Sequence, residues 1–438
     1  MSFNIGLSGL AAANKALSVT GNNIANVSTT GFKSSRVEFA DQYAASIRAT
    51  AGKTSNGTGV ATAAVSQQFT QGTISTTGQS LDMAINGSGF FVLNAGGTTQ
   101  YTRNGTFNTD KAGFITTTGG ANVQGYNAVN GQIQTGSLTN LKIDSSNLAP
   151  KSTGLINETI NLNSSATDPS VSVFDASNVN SYNYTFNTDT YDSQGNAHQT
   201  NQYFAKNTTN NSWTMYTTID GRNPSDPTST TPLVNTLTFK ADGSLDTANM
   251  AAGAVAGGLT VNADKTFSLN NWVPAAKASD GTWSSNGAQA STTGVKIDLL
   301  NASQYNASSA TSAKTQDGYA TGELSGLSVD GTGVLFANFT NGQSKTIGQV
   351  AMANFANTQG LSPTGGTNWK ETFTSGVPVI GTPATGTMGS LTAQSLEESN
   401  VDLTSELVNL IKEQSNYQAN AKTISTESTI MQTLIQTT

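Results

Sequence analysis

Cysteine is absent from these 438 residues, which excludes disulfides, thiolate metal sites and cysteine nucleophiles together. Charge is scarce too: Asp, Glu, Lys and Arg make up 11%, against roughly 25% in an ordinary soluble domain. Ser, Thr, Asn, Gln and Gly take their place, so solubility rests on neutral hydrogen-bonding groups. Such a surface can be covered by like neighbours without stranding many buried charges, whose desolvation is costly. A β-rich extracellular protein would have the same composition. The net charge of −7 and the lack of a basic block argue against nucleic acid as a partner. No apolar run of roughly 18 residues occurs, so no membrane insertion is expected. The first thirty residues also lack the basic start and apolar stretch of a cleaved secretory signal.

Chemistry is equally thin. The single histidine, His198, is the residue a histidine-dependent triad would require, but its place after a turn reads as an exposed hairpin flank. Asp189, Asp192 and Gly195 lack the spacing and closing Glu of a calcium loop and read as a plain turn. Gly52-Lys53-Thr54 has Ile47 where a phosphate-binding loop needs glycine, and Gly87-x-Gly89 has no third glycine at the dinucleotide spacing. The expectation is a non-enzyme with no cofactor, no metal and no catalytic residue.

Two terminal segments carry helical periodicity. Phe3, Leu7, Leu10, Asn14, Leu17, Gly21 and Ile24 recur at alternating steps of four and three, as in a coiled-coil seam, and the run stops at Ser28-Thr29-Thr30-Gly31. Leu403, Leu407, Leu410, Gln414, Tyr417, Ala421, Ile424, Ser428, Met431 and Ile435 repeat the pattern at the other end. Either Asn400 or Asp402 suits its N-cap. A long helix does not bury its stripe alone, so the termini are expected to pair with each other and to offer leftover apolar surface to neighbouring copies.

Between them, short strand-like runs alternate with Gly, Asn and Asp turns. Residues 81–93 read as two strands joined at Asn86-Gly87, and Gly195-Asn196 and Asp242-Gly243 are further hairpin candidates. The fold class expected is multidomain α+β: a terminal α-helical coiled coil formed by both chain ends, with nested mainly-β middle and outer domains. The boundaries drawn are 1–28 and 400–438 for the helical domain, and 29–70 and 363–399 for linker arms. The middle β domain takes 71–144 and 291–362, and the inserted outer β domain takes 145–290.

Several motifs carry a resemblance. Asn22, Asn23, Ile24, Ala25 and Asn26, followed by Gly31, Phe32 and Lys33, resemble the amino-terminal signature of bacterial flagellar rod and hook proteins. Leu81-Asp82, Gly87 and Gly89-Phe90-Phe91 are similar to the next motif, and Tyr101-Thr102-Arg103-Asn104-Gly105 continues it. Ser399-Asn400-Val401-Asp402-Leu403 and Gln414-x-x-Tyr417-Gln418-Ala419-Asn420 resemble the carboxy-terminal helix. Ser28 and Ser415 stand where the pattern has Asn and Arg. The shorter distal-rod proteins are the alternative, and a secreted adhesin a more distant one; the extra central region, with Tyr191–Asn196 and Gln316–Tyr319, resembles the hook branch.

The resemblance implies a homopolymer of many copies, forming a curved tube that transmits torque as a universal joint and encloses the export channel. It implies rod, hook-cap and hook–filament junction proteins as partners. It further implies an extracellular place in the flagellum, reached through the type III export apparatus without a cleaved signal. Assembly is expected to use Leu7, Leu10, Leu17, Ile24, Leu403, Leu407, Leu410, Tyr417, Ile424 and Met431.

Overall fold

The computed structural model describes residues 2–42, 57, 59–207, 211–250, 253 and 255–437. The Gly52-Lys53-Thr54 reading lies outside the described residues, as does the centre of the first linker arm. Two helices, α1 (Ser2–Ala25) and α2 (Leu403–Thr437), occupy the two ends of the chain, and the described residues between them form strands, turns and two single-turn 3-10 helices. Asp402, not Asn400, caps α2: its Oδ1 accepts from the Ser405 amide at 3.0 Å. Glu406 adds a negative charge in the first turn, where the helix dipole favours it.

The helices pack against each other in antiparallel fashion. Gly6 meets Ile424, Gly9 meets Asn420, and at the far end Asn23 Nδ2 donates to Glu406 Oε1 at 3.3 Å. The buried positions of α1 are Gly6, Ala12, Ala13, Ala16, Thr20 and Asn23. That stripe lies one residue away from the predicted seam. Leu7 is exposed, Leu10, Leu17 and Ile24 are half-buried, and the predicted seam turns away from the partner helix. The cause is axial distance: a Cβ on Gly9 would lie 2.4 Å from Asn420 Oδ1, so the pair approaches closer than leucine ridges permit. On α2 the contact side is Glu406, Leu410, Glu413, Asn420 and Ile424, while Leu403, Leu407 and Met431 are exposed.

Neither linker arm is a plain connector. Strands Ser35–Gln42 and Gly59–Gln67 form an antiparallel ribbon that packs along α1, with the Val60 amide donating to Ser8 Oγ. Strands Ser362–Gly365 and Asn368–Lys370 join the large sheet through Trp369 opposite Tyr101, because Trp369 belongs to the core there. Ser390–Ala393 pairs with Met83–Asn86 and Ser395–Glu397 with Ile74–Thr76. The strands flanking Asn86-Gly87 therefore do not form a hairpin with each other. Met83–Asn86 takes its partner from the far end of the chain, and Phe90–Ala95 pairs with Thr98–Thr102.

The chain divides into two compact units: residues 1–145, 325–338 and 344–438 in the first, 146–324 and 339–343 in the second. The core of the first gathers Phe90, Val92, Tyr101, Phe355 and Trp369. In the second, a four-stranded antiparallel sheet begins with the hairpin Tyr184–Tyr191 and Ala197–Asn207 across Gly195-Asn196. Its core joins Phe204, Trp213 and Met215 to Ile156 and Ile160 of strand Leu155–Asn163. That strand runs parallel to Val295–Asp298 and Ser303–Tyr305 and antiparallel to Ala310–Gln316. Residues 291–324, assigned from sequence to the middle domain, thus belong to the second unit.

His198 is not an exposed flank. It is buried, with Nδ1 2.7 Å from Asp220 and Nε2 3.2 Å from Asp192, and edge-on to Trp272. Asp192 in turn accepts from the Gln194 and Asn196 amides and closes the turn.

Candidate assembly site

The motif residues, far apart in sequence, converge where the helix pair meets the sheets of the first unit. Asn23, on the last turn of α1, accepts from the Ser35 amide at 2.9 Å and donates to the Ser35 carbonyl at 2.8 Å. Asn26 builds the turn that ends the helix, its Oδ1 accepting from Thr29 Oγ1. Gly31 then turns the chain at a φ of +69°, where an added Cβ would stand 2.6 Å from the Asn104 amide nitrogen. No residue with a side chain meets both demands. Gly31 donates its own N–H to the Glu397 carbonyl at 2.8 Å.

Lys33 follows, wholly buried, with Nζ 2.6 Å from Glu397 Oε1 and donating to the Thr70 carbonyl at 2.7 Å. Arg103 reaches the other oxygen of Glu397 at 3.1 Å and donates to the Gly87 carbonyl at 2.8 Å, its guanidinium 5.4 Å from the Phe90 ring centre. The Gly72 amide donates to Glu397 Oε1. One carboxylate thus holds two cations and a main-chain amide in a dry place. Burial pushes Lys33 below the ordinary lysine range, against the pull of Glu397; Arg103 is lowered for the same reason.

Asn400 completes the junction: its Oδ1 accepts from the Ser34 amide at 2.7 Å, and its Nδ2 donates to Gln68 O at 2.7 Å and Thr70 O at 3.2 Å. Gly105 lets Met83 approach, since a Cβ there would fall 1.6 Å from the Met83 carbonyl. Phe91 stacks edge-on to Phe107 at 5.1 Å, and Gly89 takes a φ of +124°. Phe32 is half-buried at the same junction. Asn22, Ala25 and Gln414 are exposed and outside this cluster, though Asn22 gives its carbonyl to Asn26. Sequence reasoning missed Glu397. The available signal was two cations, Lys33 and Arg103, set among apolar and glycine residues in a chain with few acids.

Outside the junction, the helices keep large apolar side chains in the open. Phe3, Ile5 and Leu7 on α1, and Leu403, Leu407, Val408, Ile411, Ile430, Met431, Leu434 and Ile435 on α2, are each between 41% and 72% exposed. No described helix is long and apolar enough to cross a membrane.

Four family profiles match in chain order: "Flagella basal body rod protein" over 3–33, "Flagellar hook protein FlgE/F/G D1 domain" over 84–173, "Flagellar basal body protein FlaE D2 domain" over 161–319, and "Flagellar basal body rod FlgEFG protein C-terminal" over 392–437. The flagellar hook protein FlgE of Escherichia coli K12 is 39% identical over 440 residues, covering 99% of both chains. That of Salmonella typhimurium LT2 is 38% identical over 445 residues with the same coverage, and that of Treponema pallidum is 32% identical over 464 residues, covering 98% of each. Identity at this level over the full length means that the chain belongs to the bacterial flagellar hook protein family.

Proposed function

We propose that this chain is a subunit that polymerises through its terminal helix pair into the flagellar hook. The large apolar side chains of α1 and α2 are buried only when a neighbouring copy covers them. The carrying observation is the division of faces: α1 turns Gly6 and Gly9 toward α2, and Leu7, Leu403, Leu407 and Met431 stay outside. Each large apolar side chain fully covered contributes about 1.5–3 kcal/mol to association, so a row of them drives it. The polar positions of the pair, Asn14 and Gln414 among them, line a channel through which later subunits pass.

In this reading the tube lies outside the cell, is supplied by the flagellar export apparatus, and bears on rod, cap and junction proteins at its ends. Its role is mechanical, as a bending joint that carries torque, and not catalytic. Leu407→Asp tests it: polymers should be lost, while the circular dichroism and protease resistance of the β-rich units remain. Normal tubes from that variant would refute the assembly role of α2.

A further inference from the structure

Residues 372–396 contain no Asp, Glu, Lys or Arg, in a chain of net charge −7. Within this run Phe373 is 102% exposed, Val377 86% and Val379 64%, with Ile380 beside them at 37%. The turn carrying Phe373 is nonetheless locked in place. Thr372 Oγ1 donates to the Gly360 carbonyl at 2.6 Å, Ser375 Oγ to the Thr372 carbonyl at 2.9 Å, and Asn357 Nδ2 to the Thr374 carbonyl at 3.0 Å. Ser375 is fully buried, and a Cβ on Gly360 would stand 2.4 Å from its nitrogen. A fixed turn thus holds an aromatic ring in water. Strand Val379–Gly381, just beyond, pairs with Met352–Asn354 and, among the described strands, with no other. Its second edge thus has no strand neighbour among the described residues, and an unpaired edge is one to which another chain can add.

We propose that residues 373–380 form a contact between copies of this chain, with Phe373 as its anchor. The inference rests on the polymer reading above and adds a second contact in the β-rich unit. Three observations favour a like copy as the occupant. Copies with the same net negative charge repel one another, and contact is least opposed where the surface carries no charge. A partner of opposite charge would be selected by charged groups around the patch; this run has none, and the acids that bound it are already engaged, Glu371 by the Tyr101 hydroxyl and Glu397 by Lys33 and Arg103. The locked turn loses little freedom when covered, which suits a contact repeated in every subunit.

The absence of cysteine makes the test direct. Phe373→Cys and Leu407→Cys are made separately in the full chain, and maleimide labelling rates are compared in soluble and polymerised subunits. Labelling of both is expected to slow by about tenfold or more on assembly, as for a side chain occluded in a stable contact. If Leu407→Cys is protected and Phe373→Cys labels equally in both states, the contact proposed here is overturned while the helix reading stands. If neither is protected, both fail. Phe373→Ser gives the second arm: an unchanged melting temperature for the soluble subunit, with about a tenfold higher concentration needed to polymerise. An unchanged assembly concentration overturns the proposal. So does a lowered melting temperature, which would assign Phe373 to the subunit's own fold.

Discussion

Glu158→Gln should make the second unit more stable at alkaline pH and leave it nearly unchanged in acid. Glu158 sits on strand Leu155–Asn163 with 3% of its surface exposed. Oε1 takes the Thr188 hydroxyl at 3.2 Å, whereas Oε2 is buried with no hydrogen-bond partner among the described residues. Gln202 and Thr217, opposite each other on neighbouring strands, bring further buried polar groups to the same place. Lys314 stands across from Glu158 in register, but its ammonium donates to the Asn187 carbonyl. Burial pushes the Glu158 carboxyl from 4.5 up to about 7, against the Thr188 hydroxyl. Between those two values the unfolded chain has lost the proton and the folded unit keeps it, so stability falls as pH rises. The gap from 4.5 to about 7 corresponds to ~3 kcal/mol, absent below pH 4.5 and fully present above pH 7.

Glutamine carries no charge to desolvate. The variant should therefore exceed its parent by ~3 kcal/mol at pH 8.5 and match it within about 1 kcal/mol near pH 4. Urea unfolding followed by tryptophan fluorescence in a Trp369→Phe background reads this unit, since Trp213 and Trp272 are buried in its core and Trp369 lies in that of the first. His198 adds a slope of the same sign. Burial lowers its pKa, but Asp220 and Asp192 outweigh that and raise it above 6.5. The stability it gives is present in acid and lost as pH rises through the raised value. That slope should survive in the variant. A difference between variant and parent that does not change with pH, or a loss of stability at pH 8.5, would refute the reasoning.

At the motif junction, Glu397→Gln leaves Lys33 and Arg103 buried together without a counter-charge and should cost about 3–5 kcal/mol. Lys33→Met leaves the Arg103–Glu397 pair intact and should cost less; thermal unfolding of the two variants checks the order. Gly31→Ala meets both a left-handed backbone and the Asn104 nitrogen, whereas Gly78→Ala has a φ of +75° with open space around it. The first should lose about 3 kcal/mol or more and the second about 1 kcal/mol, measured by denaturant midpoints.

The helices were legible because a period near 3.6 persists along both ends of the chain, and no tertiary contact is needed to see it. Their contact face was legible only in part. Leu410 and Ile424 of the predicted seam do lie on the contact side of α2, but α1 answers them with Gly6 and Gly9, which carry little hydropathy and permit close approach. The start of the inserted unit was read at 145, one residue from the observed 146, while its end was read at 290 and lies at 324. The missed stretch is held by strands pairing with Leu155–Asn163 from far along the chain, and such pairing leaves no local trace. Glu397 failed for a related reason: its meaning depends on Lys33 and Arg103, brought in from the opposite end. The motifs marked the junction residues; only the fold shows them as one site.

A helix pair that used Leu7, Leu403 and Leu407 on itself would present neighbours with a polar surface and would have to open before it could polymerise. Packing through glycine removes that conflict. The pair closes on main-chain proximity and on the Asn23–Glu406 bond, and the leucines remain available outside. The same economy explains the buried charges beside it. A tube of identical subunits needs each helix pair to leave its β sheets at one fixed angle, and apolar contacts alone tolerate sliding. Lys33, Arg103 and Glu397 do not, because a shift that separates any of them strands a charge in a dry site. In the proposed polymer, adaptable contacts are thus left to the surface between copies, and the unforgiving ones are kept inside each subunit, at the junction between helix pair and sheet.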